Sequence, residues 1–221
     1  VSRELRGHLQ ERFRIDPRKI KVIPNGVDTA VFRPRDKIEA RKRLGLSIGI
    51  FLISFIGSTP NKGGRRLMEA IRLLPSRLKR DIGLVLMGDT SALADAENVE
   101  YAGKVCPEDM PWYLAATDMF VLPTTNEGMC NSILEAMAVG LPIVSSDKPF
   151  NHEVLCDDTA ILVDPIDVEE ISLAISRLYC DCSLRDRLGK AANKHSASMT
   201  SAMRMQRIEQ MLRTTVGNYG R

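Results

Sequence analysis

Apolar positions along the chain fall into two alternating patterns. Short continuous apolar runs bounded by Gly, Pro or charged residues read as buried strands: Phe51 to Ile56, Leu84 to Met87, Met119 to Pro123, Ile143 to Ser145 and Ala160 to Val163, with a shorter run at Val99 to Tyr101. Between and after them, apolar residues recur at helical spacing over about Arg65 to Leu74, Glu108 to Ala116, Cys130 to Val139, Val168 to Tyr179, Leu184 to Lys194 and Thr200 to Arg213. Leu67, Ala70, Ile71 and Leu74 share one face of the first of these, and Gly140 with Pro142 closes the third. A charged helix precedes them all at Lys37 to Leu44. Strands separated by helices pair in parallel through right-handed crossovers, so the pattern predicts an α/β fold with a doubly wound parallel sheet.

The first forty residues follow a different pattern. Ser2 is a candidate N-cap for a helix reaching about Arg14, on which Leu5, Leu9 and Phe13 form a narrow apolar stripe. Ile20 to Ile23 reads as a strand ended by Pro24, and Asn25-Gly26 reads as a plain turn. The chain opens at Val1 already in a helical pattern, so it is expected to be part of a longer protein.

Composition narrows the class. With 221 residues, 44% hydrophobic and 27% charged, the chain suits one large α/β domain with extra elements. No apolar run has the length of a membrane span, and no leader pattern is visible; a cytoplasmic location is expected. Five cysteines, an odd number in a core-forming chain, argue against a disulfide framework, and the three dispersed histidines suggest no zinc site. His152 beside Glu153 reads as a surface pair. Residues 1 to 45 hold thirteen Lys/Arg against six Asp/Glu. A solvated basic face is the simpler reading; the alternative is contact with a membrane surface carrying a lipid-linked acceptor. No aromatic residues interleave with these charges, so nucleic acid is not an expected partner.

In a doubly wound sheet, ligands bind outside the carboxyl ends of the strands, which selects the loops for inspection. They begin at Gly57-Ser58, at Gly88-Asp89, at Gly103-Lys104-Val105 and at Thr124. In the first, glycines permit close backbone approach and Lys62, at a helix start, can place an ammonium on a phosphate. In the last, Glu127 stands just before a helix and Glu135 lies inside it. Eight residues of pure helix would separate the two by about 12 Å, too far to share one metal or proton. With Glu127 in the loop, both carboxylates can flank the free amides of the helix N-terminus, a cradle for a ligand with an anionic middle and hydroxyls at both ends.

These residues carry a family resemblance. Glu127 and Glu135 in the setting NEGM…NSILEAMAVGLPIV resemble the E-x7-E signature of the retaining GT-B glycosyltransferases of family 4, and KVIPNGVDTAVF resembles their passage from acceptor domain to donor domain. The resemblance implies a Rossmann-like GT-B C-terminal domain with extra helices at both ends. Residues 1–33 would be the tail and linker of a missing N-terminal acceptor domain, residues 34–195 the nucleotide-sugar domain, and residues 196–221 a C-terminal helix and tail. It implies that Glu127 contacts the donor sugar and acts in catalysis, that Glu135 holds the ribose hydroxyls, and that amides near Gly128, Met129, Cys130 and Asn131 receive sugar or phosphate oxygens. Gly57, Ser58, Lys62, Gly88 and Val105 would complete the donor site. The family typically carries an arginine where Ser58 stands, so one diphosphate contact is absent or supplied elsewhere.

The expected function is therefore donor binding in a hexosyltransferase-type enzyme of cell-surface polysaccharide or glycolipid synthesis. The diphosphate would leave through an oxocarbenium-like transition state with retention of configuration, and the chain alone would be inactive. No Asp-x-Asp occurs, so neither metal nor cofactor is expected, and the nucleotide sugar and the N-terminal domain are the partners. Two alternatives are a nucleotide-sugar-binding module without transfer activity and a GT-B sugar-nucleotide epimerase.

Overall fold

The computed structural model describes residues 2–57, 59–90, 93–94 and 97–219, with side-chain environments to residue 216. Six strands form one parallel sheet: β1 (Phe51–Ile56), β2 (Ile82–Met87), β3 (Val99–Gly103), β4 (Met119–Leu122), β5 (Ile143–Ser146) and β6 (Ile161–Val163). Their order is β3-β2-β1-β4-β5-β6, so the winding reverses between β1 and β4. The helices are α1 (Arg3–Phe13), α2 (Lys37–Leu44), α3 (Gly64–Leu73), α4 (Ser76–Asp81), α5 (Met110–Ala115), α6 (Asn131–Val139), α7 (Val168–Cys180), α8 (Cys182–Ser196) and α9 (Ser201–Tyr219). α3 packs with α7, while α2, α5, α6 and α8 form a second contiguous group. The central strands β2 and β4 are buried at every position, which is why they read as unbroken apolar runs instead of alternating ones.

The expected strand at Ile20 to Ile23 is not formed. The chain makes a 3-10 turn at Pro17–Lys19 and continues irregularly to Val27, which makes an isolated bridge to Thr200. Apolar alternation can mark a strand only where a partner exists, and the sheet edges are occupied by β3 and β6. α4 was not legible as a helix, being six residues of mostly charged sequence without an apolar stripe. Among the described residues no helix is long and apolar enough to cross a membrane.

A buried charge network fixes β1, β4 and α2 at the point of reversal. Arg41, only 3% exposed, donates from Nε to the Ala116 carbonyl at 2.8 Å and from Nη1 to the carbonyls of Ser47, Ile48 and Ile50. Its Nη2 lies 2.6 Å from Asp118 Oδ2, which also accepts the Leu52 N–H at 2.7 Å. Removing one partner of such a pair strands the other charge in the interior. Asp118→Ala is expected to cost about 3–5 kcal/mol of stability, read by urea unfolding. A loss below about 1 kcal/mol would show that the network is solvated and not structural.

Candidate functional site

The carboxyl edge at the β1/β4 reversal is built from backbones that approach closely. The Gly57 N–H donates to the Met87 carbonyl at 2.9 Å and the Gly88 N–H to the Gly103 carbonyl at 2.8 Å. Gly88 has φ +107°, and a Cβ there would lie 2.6 Å from the Gly57 oxygen. A 3-10 turn, Pro60–Lys62, then carries the chain into α3. Gly63, at φ +85°, lets this turn touch the β4 loop: a Cβ would lie 2.3 Å from the Pro123 oxygen, and the Thr125 N–H donates to the Asn61 carbonyl at 2.9 Å.

Contact between the two loops brings Lys62 and Glu127 together across 65 positions. Lys62 Nζ lies 2.6 Å from Glu127 Oε1, with the two side chains 23% and 13% exposed. The same carboxylate oxygen accepts from the Thr124 hydroxyl at 3.0 Å, and Lys62 Nζ lies 3.5 Å from Cys130 Sγ. Burial disfavours the Lys62 ammonium, but the Cys130 sulfur and the Glu127 carboxylate outweigh it and hold its pKa above the ordinary lysine value. The Cys130 thiol also meets the Ser132 hydroxyl at 3.0 Å.

Glu127 stands in the loop, four residues ahead of α6, and Glu135 lies in that helix. Glu135 is half-buried and, among the described residues, has neither a hydrogen-bond nor an ion-pair partner; burial raises its pKa. Gly128 is half-buried in the loop, Met129 and Cys130 are buried, and Asn131 opens α6 on the exposed side. Val105, beyond β3, is half-buried and packs against the core. Ser58 lies outside the described residues. The structure thus joins Lys62, Glu127 and Cys130 by direct contact and places Gly57 against Gly88, while Glu135 makes no polar contact with the other predicted residues.

Helix capping differs along the chain. α1, α2, α7 and α8 each take a side-chain cap, from Ser2, Asp36, Asp167 and Asp181. α3 and α6, the helices that follow the two strands at the reversal, have none, and neither do the short helices α4 and α5. The first-turn amides of α3 and α6 and the positive ends of their dipoles are therefore not satisfied by their own cap residues.

A cavity of about 670 Å³ opens beside Asn126, Glu127 and Gly128, its opposite wall formed by Glu4, His8 and Glu11 of α1. Another, of about 470 Å³, lies at the amino ends of β4 and β5 between Asp118 and Gly140, the wrong edge for ligand binding in this topology. Two participants escaped the sequence reading. Thr124, fully buried, holds the Glu127 carboxylate, and Asn25, read as a turn residue, reaches the loop before α6. Only the motif around Asn25 could have pointed to it, because its partners are more than a hundred positions away.

Strand order and the glycine-lined carboxyl edge define a doubly wound α/β domain, and its fold is that of solved GT-B glycosyltransferases. The chain belongs to the family described as glycosyl transferases group 1, which matches residues 50–181. It is 29% identical to a D-inositol 3-phosphate glycosyltransferase of Segniliparus rotundus over 86% of this chain and 46% of that protein. It is 30% identical to the UDP-Gal:alpha-D-GlcNAc-diphosphoundecaprenol alpha-1,3-galactosyltransferase of Escherichia coli over 89% of this chain and 54% of that protein. Among solved structures, the Anabaena protein HepE in complex with UDP-glucose superposes with a TM-score of 0.78 at 21% identity, covering 90% of this chain and 58% of that one. The chain spans about half the length of the curated relatives it matches.

Proposed function

We propose that this chain is the donor half of a retaining family 4 glycosyltransferase, which moves a hexose from a nucleoside diphosphate sugar to an acceptor in cell-surface polysaccharide or glycolipid synthesis. The observation that carries the reading is the pair of uncapped helices, α3 and α6, facing one edge with Lys62 between them and Glu127 against it. Two dipole ends and one ammonium suit a diphosphate, and two flanking carboxylates suit hydroxyls on either side of it. UDP-glucose bound to a protein of the same fold supports the ligand class.

On this reading the diphosphate displaces Glu127 from Lys62, and the released carboxylate turns to the donor sugar. Helix dipoles and Lys62 neutralise the departing diphosphate, while Glu127 orients the sugar and stabilises positive charge at its anomeric carbon. An N-terminal domain would bring the acceptor, so this chain by itself binds the nucleotide and transfers nothing.

Calorimetry with UDP, GDP and ADP, with and without EDTA, tests the reading. One of the three should bind, and EDTA should change its affinity by less than about tenfold, near 1.4 kcal/mol. Absence of binding to all three, or glycosyl transfer by the chain alone, would count against it.

A further inference from the structure

Asn25 and its neighbours form a built connection between the two ends of the chain and the loop before α6. The amide Nδ2 donates to the Met129 carbonyl at 3.1 Å and to Asn131 Oδ1 at 2.8 Å. The Asn25 backbone N–H points to Met129 Sδ at 3.0 Å, and Arg204 of α9 donates from Nη1 to Asn25 Oδ1 at 2.7 Å. The amide has one orientation that serves these partners, because the Met129 carbonyl can only accept and the Arg204 guanidinium can only donate. Both of its N–H groups and its oxygen are thereby engaged across three separate segments.

The position of Asn25 is itself fixed from behind. The Val27 N–H donates to the Met199 carbonyl and the Ser201 N–H to the Val27 carbonyl, both at 2.9 Å, so the segments before α2 and before α9 are tied together. Gly26 passes so close that a Cβ would lie 2.4 Å from the Thr200 oxygen. No side chain fits there, and the backbone must seat deeply for Asn25 to reach the loop.

We propose that Asn25 is a positioning residue for the ligand loop. It holds Gly128 to Asn131 in the shape that presents the α6 amides, and Arg204 holds Asn25. The loop's order then depends on two segments outside the sheet, those that flank the domain in sequence. The proposal rests on the donor-site reading for its ligand, but not for the ordering of the loop.

The test is Asn25→Asp, which keeps the shape and the oxygen facing Arg204 but replaces both donors with an acceptor facing the Met129 carbonyl. Hydrogen exchange of the ligand-free variant should accelerate over residues 125–133 while β2 and β5 keep parental protection. Its thermal midpoint should stay near the parent's, since Arg204 now meets a charge. Affinity for whichever of UDP, GDP or ADP the parent binds should fall about three- to tenfold. Arg204→Met should loosen the same segment to a smaller degree. Parental exchange over residues 125–133, acceleration spread over the whole sheet, or a loosened loop with unchanged affinity would each overturn the proposal. If the parent binds none of the three nucleotides, the ligand reading fails, and the exchange data still decide whether Asn25 orders the loop.

Discussion

Glu135→Gln is expected to lower the affinity of this chain for its nucleoside diphosphate by roughly ten- to a hundredfold, because a hydrogen bond from a hydroxyl to a charged group contributes about 1.5–3 kcal/mol. The same change should leave the unliganded chain equally stable or more stable. Glu135 is half-buried, lacks a polar partner among the described residues and has its pKa raised by burial. A carboxyl whose folded pKa lies above its unfolded value penalises folding when ionised. That penalty is fully present above the folded pKa, declines as pH falls from the folded to the unfolded pKa, and is gone below the unfolded one. A glutamine carries no such penalty. Melting temperature and affinity should therefore move in opposite directions, which separates a ligand contact from a structural residue.

The sign also sets the pH dependence. In the proposed contact, donation from ribose hydroxyls would favour the ionised carboxyl, so nucleotide affinity should weaken as pH falls through the raised pKa of Glu135. The Gln variant should show a flatter profile over that window. If affinity and melting temperature of Glu135→Gln fell together, or the parent's affinity held as pH fell through that pKa, Glu135 would not be the ribose contact.

Much of the fold was legible because its signals are local. Buried strands such as Phe51–Ile56 and Met119–Leu122 announce themselves as apolar runs, and their alternation with helices implies the parallel sheet. Residues 20 to 23 misled for the complementary reason, since pairing depends on what lies alongside and no strand does. The site divides in the same way. Glu127 and Glu135 share one short stretch with a helix start between them, so their spacing could be read directly. Lys62 was legible as a cation at a loop, but its contact with Glu127 and Cys130 depends on the close packing of Gly63 against Pro123. Asn25 was illegible because turn chemistry fully accounts for Asn-Gly locally; only the tertiary approach of Met129, Asn131 and Arg204 gives its amide other work.

Glu127→Gln should lower turnover by on the order of 10²–10³ in the proposed two-domain enzyme, the scale on which one preorganised electrostatic contact acts in a transition state. In this chain alone it should not weaken binding of the free diphosphate, and should tighten it by up to about tenfold. The reason is the 2.6 Å pair between Glu127 and Lys62. In the unliganded site the carboxylate occupies the ammonium that the diphosphate needs, so binding must first break a partly buried ion pair. Glutamine keeps the shape and can still accept from Thr124, but it competes less for Lys62. The nucleoside diphosphate carries no sugar, so it loses nothing that Glu127 would have held. The donor sugar does lose a contact, one that matters most when positive charge develops at its anomeric carbon. Calorimetry on the chain and donor turnover on the two-domain protein read the two effects separately. Lys62→Met should show the complementary result, losing diphosphate affinity in both. Turnover of Glu127→Gln within about threefold of the parent would remove Glu127 from the reaction, and a loss of diphosphate affinity would show that its carboxylate supports the phosphate cradle instead of competing with it.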